Sequence, residues 1–389
     1  MKDKLAGRMQ KLAPYLFAEL DRKKAEVQAR GVDVISFTVG DPDLPTPPEI
    51  VEAGQAALAN PLNHRYPAYA GSGEFRQAAA GWMKRRFEID LDPDREIVAL
   101  IGTKEGIGHL PFALVDPGDV VLCPEPGYPV YAIATRLAGG EVHPLPLTAE
   151  RSFLPDLDSI PAEVCKRAKA LWINYPNNPT GAIAPQGFIE KAVAFAQEHR
   201  LVLCVDCAYS EIAFDTYRPP SVLELPGARD VAVEFHSMSK TYNMTGWRVG
   251  FVAGQPDVVG ALGTLKSNLD SGVFGAVQAA GVAAMKLWPK HLPDLMKIYK
   301  RRRDLLVAGL QRAGYSPPTP RATFYVWMPV PGGDDREFAS RLIETAGVIV
   351  TPGSGFGPAG KGYVRFCLTV DEGRLQEAVL RIGKAGIGS

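Results

Sequence analysis

From about residue 49 to residue 285 the chain alternates short apolar runs with stretches of helical spacing, and this restricts the fold more than any other feature. The apolar runs fall at residues 97–101, 120–123, 170–174, 201–206, 231–235 and 249–253. They are apolar at successive positions, so both faces of each strand must be covered, which predicts a buried, mostly parallel sheet. Helices are expected over residues 49–59 and 73–87. Before this region, a helix closed by Gly31 leads into a strand at 34–39. Then comes a rigid loop from Gly40 to Pro48, with four prolines, that no helix tolerates. After residue 285 the pattern changes to a long helix over 286–309 and three strands at 324–329, 348–351 and 363–369. The fold class is therefore α/β. Residues 46–285 are expected to form a large domain; residues 1–45 and 286–389 a smaller α+β domain.

Composition excludes several classes. Lys+Arg and Asp+Glu are both 43, so a zero net charge gives no support for a nucleic-acid or anionic-membrane partner. No apolar stretch reaches the roughly 18 residues of a membrane helix. The first ten residues are polar and basic, unlike a signal peptide. Five cysteines imply no disulfide framework, and a cytoplasmic setting is expected.

Several segments carry chemistry. In Ser237-Met238-Ser239-Lys240 a lysine follows a strand among small hydroxyl residues; burial there disfavours its ammonium form and makes it a nucleophile. Arg248, eight residues on, suits an anion alongside Ser237. Asp206 ends an apolar strand, where an acid needs a cationic partner. Cys204 and Cys207 flank it with C-x-x-C spacing, but no second Cys or His pair lies nearby, so no metal is assigned. Asn177-Asn178-Pro179-Thr180-Gly181 is a turn at a strand's C-terminal end, where open parallel sheets bind ligands. Thr103 and Lys104 open a helix after a strand, a setting that attracts phosphate. Tyr128 offers a stacking face. Arg365, in an apolar strand, suits a carboxylate. Gly353-Ser354-Gly355-Phe356-Gly357 is read as a turn and not a dinucleotide loop.

With these strings the chain resembles pyridoxal-phosphate (PLP) aminotransferases of fold type I, class I/II, over nearly its whole length. The resemblance implies a mostly parallel seven-stranded sheet and PLP as cofactor. It makes Lys240 the Schiff-base lysine and Asp206 the partner of the pyridine nitrogen. Tyr209 and Asn178 would bond the phenolic oxygen, and Tyr128 would stack on the ring. Thr103, Lys104, Ser237 and Arg248 would hold the phosphate, with Tyr66 reaching in from the neighbouring subunit of a homodimer. Arg365 and Gly40 would bind the substrate carboxylate, with Tyr15 and Asn178 also on the substrate side.

The strings at 101–107, 234–247 and 266–274 resemble LL-diaminopimelate aminotransferases in particular. Thr103, Cys207 and Gly275 depart from that subgroup, where Ser, Asn and Gln are common. The resemblance implies transamination between LL-diaminopimelate and 2-oxoglutarate. The alternatives are a general alanine, aspartate or aromatic aminotransferase, or a PLP-dependent C–S β-lyase. A ligand-sensing regulator on this fold is not expected, since the fold starts within about 30 residues of Met1 with no room for a winged helix.

Overall fold

Strand pairing sets the architecture. The computed structural model describes residues 4–10, 12 and 16–386. Among these the strands are β1 (Ile35–Ser36), β2 (Ile97–Leu100), β3 (Val120–Glu125), β4 (Glu141–Pro146), β5 (Ala168–Ile173) and β6 (Val202–Asp206). They continue with β7 (Ala232–Ser237), β8 (Gly250–Gly254), β9 (Tyr325–Pro329), β10 (Val348–Ile349), β11 (Thr351–Pro352) and β12 (Tyr363–Cys367). Seven form one sheet in the order β2-β8-β7-β6-β5-β3-β4. Pairs β3–β4, β3–β5, β5–β6 and β6–β7 are parallel; only β8 runs against its neighbours.

Side chains alternate across this sheet with the strand period of two. Ala99, Leu122, Leu171, Leu203 and Phe251 enter one apolar layer, while Val98, Val121, Trp172, Cys204 and Phe235 enter the other. Helix Gly73–Phe87 covers the first face with Phe75, Ala79 and Met83; helix Thr103–Leu114 covers the second with Ile107 and Leu110. Cys204 and Cys207 therefore lie in layers on opposite sides.

A third core gathers β9, β12 and helices Asp335–Ala346 and Glu372–Ala385, together with Ile35 and Phe37. Helix Leu16–Ala29 reaches this region through Val27, which packs with Ile343 and Ile349.

Three elements depart from the sequence expectation. Strand β4 had no apolar run, because it lies at one edge of the sheet with mostly accessible side chains and two prolines, whereas β2 at the other edge is buried. The strand expected at 348–351 is two: β10 pairs parallel with β1, and β11 pairs antiparallel with β12. The long helix runs Gly275–Arg312, well before its expected start. Gly275 and Gly281, both poor helix formers, lie in the part before residue 286 and hid it.

The central strand should matter far more to stability than the outer one. Leu203→Ala empties a fully buried site in β6 and should cost about 3 kcal/mol. Val142→Ala in β4 should cost less than about 1 kcal/mol. Denaturant titration of the two variants checks the difference.

Candidate active site

Strands β2, β5, β6 and β7 all end at one edge of the large sheet, and the chain segments leaving them line a cavity of about 540 Å³. Eleven of the residues singled out from sequence line it. These are Gly40, Thr103, Lys104, Tyr128, Asn178, Asp206, Tyr209, Ser237, Lys240, Arg248 and Arg365. Tyr66 does not; its side chain is 88% exposed on the outer surface. Tyr15 lies outside the described residues.

Lys240 stands on the short helix Met238–Thr241, directly after β7. Its Nζ donates to the Gly40 carbonyl at 2.5 Å. Burial pushes its ammonium pKa down to about 8, against the opposing pull of Asp41. A good part of the amine is therefore neutral near pH 8.

Asp206 ends β6 and is 5% exposed. Burial pushes its carboxyl pKa up, while hydrogen bonds from the Tyr131 hydroxyl (2.7 Å) and the Ala208 amide (3.2 Å) favour the charged form. Tyr131 is stacked on Trp172, ring centroids 4.8 Å apart at 14°, which fixes its hydroxyl. Sequence reasoning gave Tyr131 no role. The available signal was its position three residues after Tyr128, on the buried side of helix Val130–Ala138.

Tyr209 and Tyr325 share a hydrogen bond of 2.7 Å between their hydroxyls, and burial raises both phenols' pKa values. Tyr325 was also missed, since an aromatic opening a strand reads as core. A Cβ on Gly40 would lie 2.1 Å from the Tyr325 hydroxyl, so the Gly40 backbone sits where no side chain fits.

Arg365 is buried in β12. It donates from Nη1 to Asn178 Oδ1 (2.7 Å) and from Nη2 to the Thr38 carbonyl (2.6 Å). Its guanidinium lies 4.3 Å from the Tyr325 ring centre and 4.7 Å from that of Phe356.

At the other end, helix Thr103–Leu114 points its N-terminus at the cavity. Its N-cap Gly102 has φ +71°, and a Cβ there would meet Arg248 Nη2 at 2.2 Å. Arg248 thus lies against the helix start, with Ser237 and Ser239 on the same wall. Cations, hydroxyls and free backbone N–H groups at a helix start suit a phosphate.

Of the subgroup departures, Thr103 lines the cavity and Cys207 is buried in the sheet's core. Gly275 does not line the cavity; a Cβ there would meet Asn63 Oδ1 at 2.4 Å, so Asn63 fills its surroundings.

PLP carries a phosphate, a ring nitrogen that can be protonated, a phenolic oxygen and an aldehyde. The cavity holds a phosphate-suited end, a buried acid, a phenol with an amide, and an amine whose pKa burial lowers to about 8. The donor set fits the cofactor. The model of aminotransferase class I and II matches residues 32–382. The LL-diaminopimelate aminotransferase of Syntrophobacter fumaroxidans is 55% identical over 380 residues, covering 97% of this chain and 98% of that protein. That of Desulforudis audaxviator is 56% identical over 378 residues, covering 97% and 96%. The substrate-bound BacF structure from Bacillus subtilis superposes with TM-score 0.95 at 37% identity, over 98% of each chain. A match along almost the whole chain, on a cavity whose chemistry fits the same cofactor, places this protein in the class I and II aminotransferases, which use pyridoxal phosphate.

Proposed function

We propose that the protein transfers the amino group between LL-diaminopimelate and 2-oxoglutarate, a step of lysine biosynthesis. The observation that carries this reading is identity above 50% along nearly the full length to enzymes of that name. All five cysteines are free, buried thiols, and no described helix is long and apolar enough to cross a membrane. Both fit our reading of a cytoplasmic enzyme.

In this reading the two ends of the cavity divide the work. Thr103, Lys104, Ser237 and Arg248 hold the cofactor's phosphate, Asp206 its protonated ring nitrogen, and Tyr209 and Asn178 its phenolic oxygen. Tyr128 covers the ring. The cofactor supplies an electron sink for charge developing at the substrate α-carbon. Arg365 binds the substrate α-carboxylate with its planar fork, and Asn178 and the Gly40 backbone border the same place. Lys240 Nζ takes the proton from the α-carbon and returns a proton on the way to product. Its lowered pKa suits that task, since a base poised near the working pH exists in both forms. Residues 46–285 form the cofactor-binding unit, and residues 1–45 with 286–389 the smaller one. The separate third core supports this division.

We further propose a homodimer with shared sites. Leu62, Tyr66, Tyr69, Leu269 and Phe274 are large apolar side chains between 42% and 88% exposed. They lie in two segments that touch: a Cβ on Gly272 would approach Ala68 O to 2.9 Å. A patch of this kind is suited to burial against a second copy, which would bring Tyr66 to the partner's cavity.

Single-turnover titration of the purified yellow enzyme tests the substrate. LL-diaminopimelate and glutamate should discharge its absorbance rapidly; aspartate, alanine and phenylalanine should do so at least about a hundredfold more slowly. Reaction with the latter and none with LL-diaminopimelate would make it a general amino-acid aminotransferase; pyruvate and ammonia release from a cysteine conjugate without an oxo acid would make it a lyase.

Lys240→Ala should lower turnover at least about 10³-fold while PLP still binds. In the wild-type apoenzyme, PLP loading should speed up about tenfold per pH unit below about 8 and level off above it, because only the neutral amine reacts. Stopped-flow absorbance across pH 6–10 checks the profile, and a flat rate refutes the role.

Sedimentation should give twice the mass of one chain, and Tyr66→Phe should weaken PLP binding about tenfold through loss of one charge-assisted hydrogen bond. A monomer, or a Tyr66→Phe variant with unchanged affinity, contradicts the shared site.

A further inference from the structure

Behind the helix start at Thr103 lies a part-buried ion cluster around a fully buried lysine. Lys266, on helix Pro256–Leu269, has a side chain of 0% exposure. Its Nζ lies 2.5 Å from Glu105 Oε1 and 3.2 Å from Asp270 Oδ2. Glu105 occupies the third position of helix Thr103–Leu114, and its other oxygen accepts from the Ile101 amide at 2.9 Å. That bond closes the Ile101-Gly102-Thr103 turn in the manner of half a capping box. His109, one turn on, has Nδ1 3.0 Å from Glu105 Oε1 and 3.9 Å from Asp270 Oδ2. Asp270 in turn accepts from the Gly272 amide at 3.0 Å.

Glu105 sits in the first turn of the helix whose N-terminus faces the cavity. A carboxylate favours a helix start, but it also repels a second anion brought to the same turn. An uncompensated Glu105 would oppose the phosphate that the proposed site places there. Lys266 is the ammonium that offsets it. A full lysine charge out of water is costly, so its retention against two carboxylates needs a use or a very good geometry.

We propose that Lys266 is a positioning residue for the phosphate end of the cofactor site: it holds Glu105 on the Ile101–Thr103 turn and offsets part of its charge, so that the turn accepts a phosphate. This rests on the reading above that Thr103, Lys104, Ser237 and Arg248 form the phosphate end. It predicts an effect specific to phosphate. A purely structural role would change the binding of every ligand of the cavity alike.

The test compares apoenzyme affinities for PLP and for pyridoxal, which lacks the phosphate, by absorbance titration. Lys266→Met should weaken PLP binding about tenfold or more and pyridoxal binding by less than about twofold. Glu105→Gln keeps an oxygen for the Ile101 amide and removes the negative charge. It should shift the ratio the other way, tightening PLP about threefold relative to pyridoxal. This second variant decides the matter where Lys266→Met does not fold. Equal changes for both ligands, or an unchanged ratio in Glu105→Gln, overturn the inference. Arg248→Gln serves as the control and should also lower the ratio. Should it leave the ratio unaltered, the phosphate lies elsewhere and the underlying site reading fails; a lowered ratio there with an unchanged one in Lys266→Met sinks only the role of Lys266.

Discussion

A carboxylate buried at the end of a central strand is the constraint around which this site is built. Asp206 loses its water when β6 is covered on both faces, and desolvation pushes its carboxyl pKa up. Two donors, Tyr131 and the Ala208 amide, keep the charged form accessible. Tyr131 is itself a member of the sheet's second apolar layer, stacked on Trp172. The position of the acid is thus set by the packing of the core, not by a mobile loop. From the same residue a polar chain runs outward: Asn174 donates to the Asp206 carbonyl, the Asn178 amide donates to Asn174, and Arg365 donates to Asn178, each at 2.7–2.8 Å. The acid proposed for the cofactor and the arginine proposed for the substrate are registered to one another by three hydrogen bonds.

A second line of contacts sets the reactive amine. Tyr209 bonds Tyr325, Tyr325 packs against the Gly40 backbone, and Gly40 accepts from Lys240. Tyr209 and Lys240 follow strands of the large sheet, while Tyr325 opens β9 and Gly40 follows β1; the Tyr209 ring itself packs in the third core. The amine is therefore placed by both parts of the molecule. Gly40 is needed for close approach and Gly102 for both approach and positive φ, so each marks a place where backbone must stand in for side chain.

Much of this was legible because burial leaves a strong mark on sequence. Strands β3, β5, β6 and β8 are apolar at most positions, and Asp206, Lys240 and Arg365 stand out as charges beside or within apolar runs. The outer strand β4 leaves no such mark, because solvent tolerates its polar and proline residues. Tyr131 and Tyr325 were invisible for the opposite reason: an aromatic in an apolar context satisfies the core and the site equally, and only the hydroxyl's partner tells them apart. The Lys266 cluster was hidden by distance, since its carboxylates lie 161 residues before and four residues after the lysine.

The loop from Gly40 to Pro48 shows how the two parts are joined at the site. Arg302, on helix Gly275–Arg312 and 3% exposed, holds Asp43 through two parallel bonds of 2.7 and 2.8 Å and also donates to the Leu368 carbonyl. Five residues before Pro48 the loop is thus tied to the smaller core. Three residues later it is tied to the larger one: Thr46 donates to the Asn243 carbonyl and accepts from Trp247, while Asn243 donates to the Pro45 carbonyl. A bidentate arginine pair resists shear because both of its bonds must break together. The prolines remove most remaining backbone freedom. Gly40 therefore presents its carbonyl to Lys240 from the start of a loop that is tied to both cores within six residues.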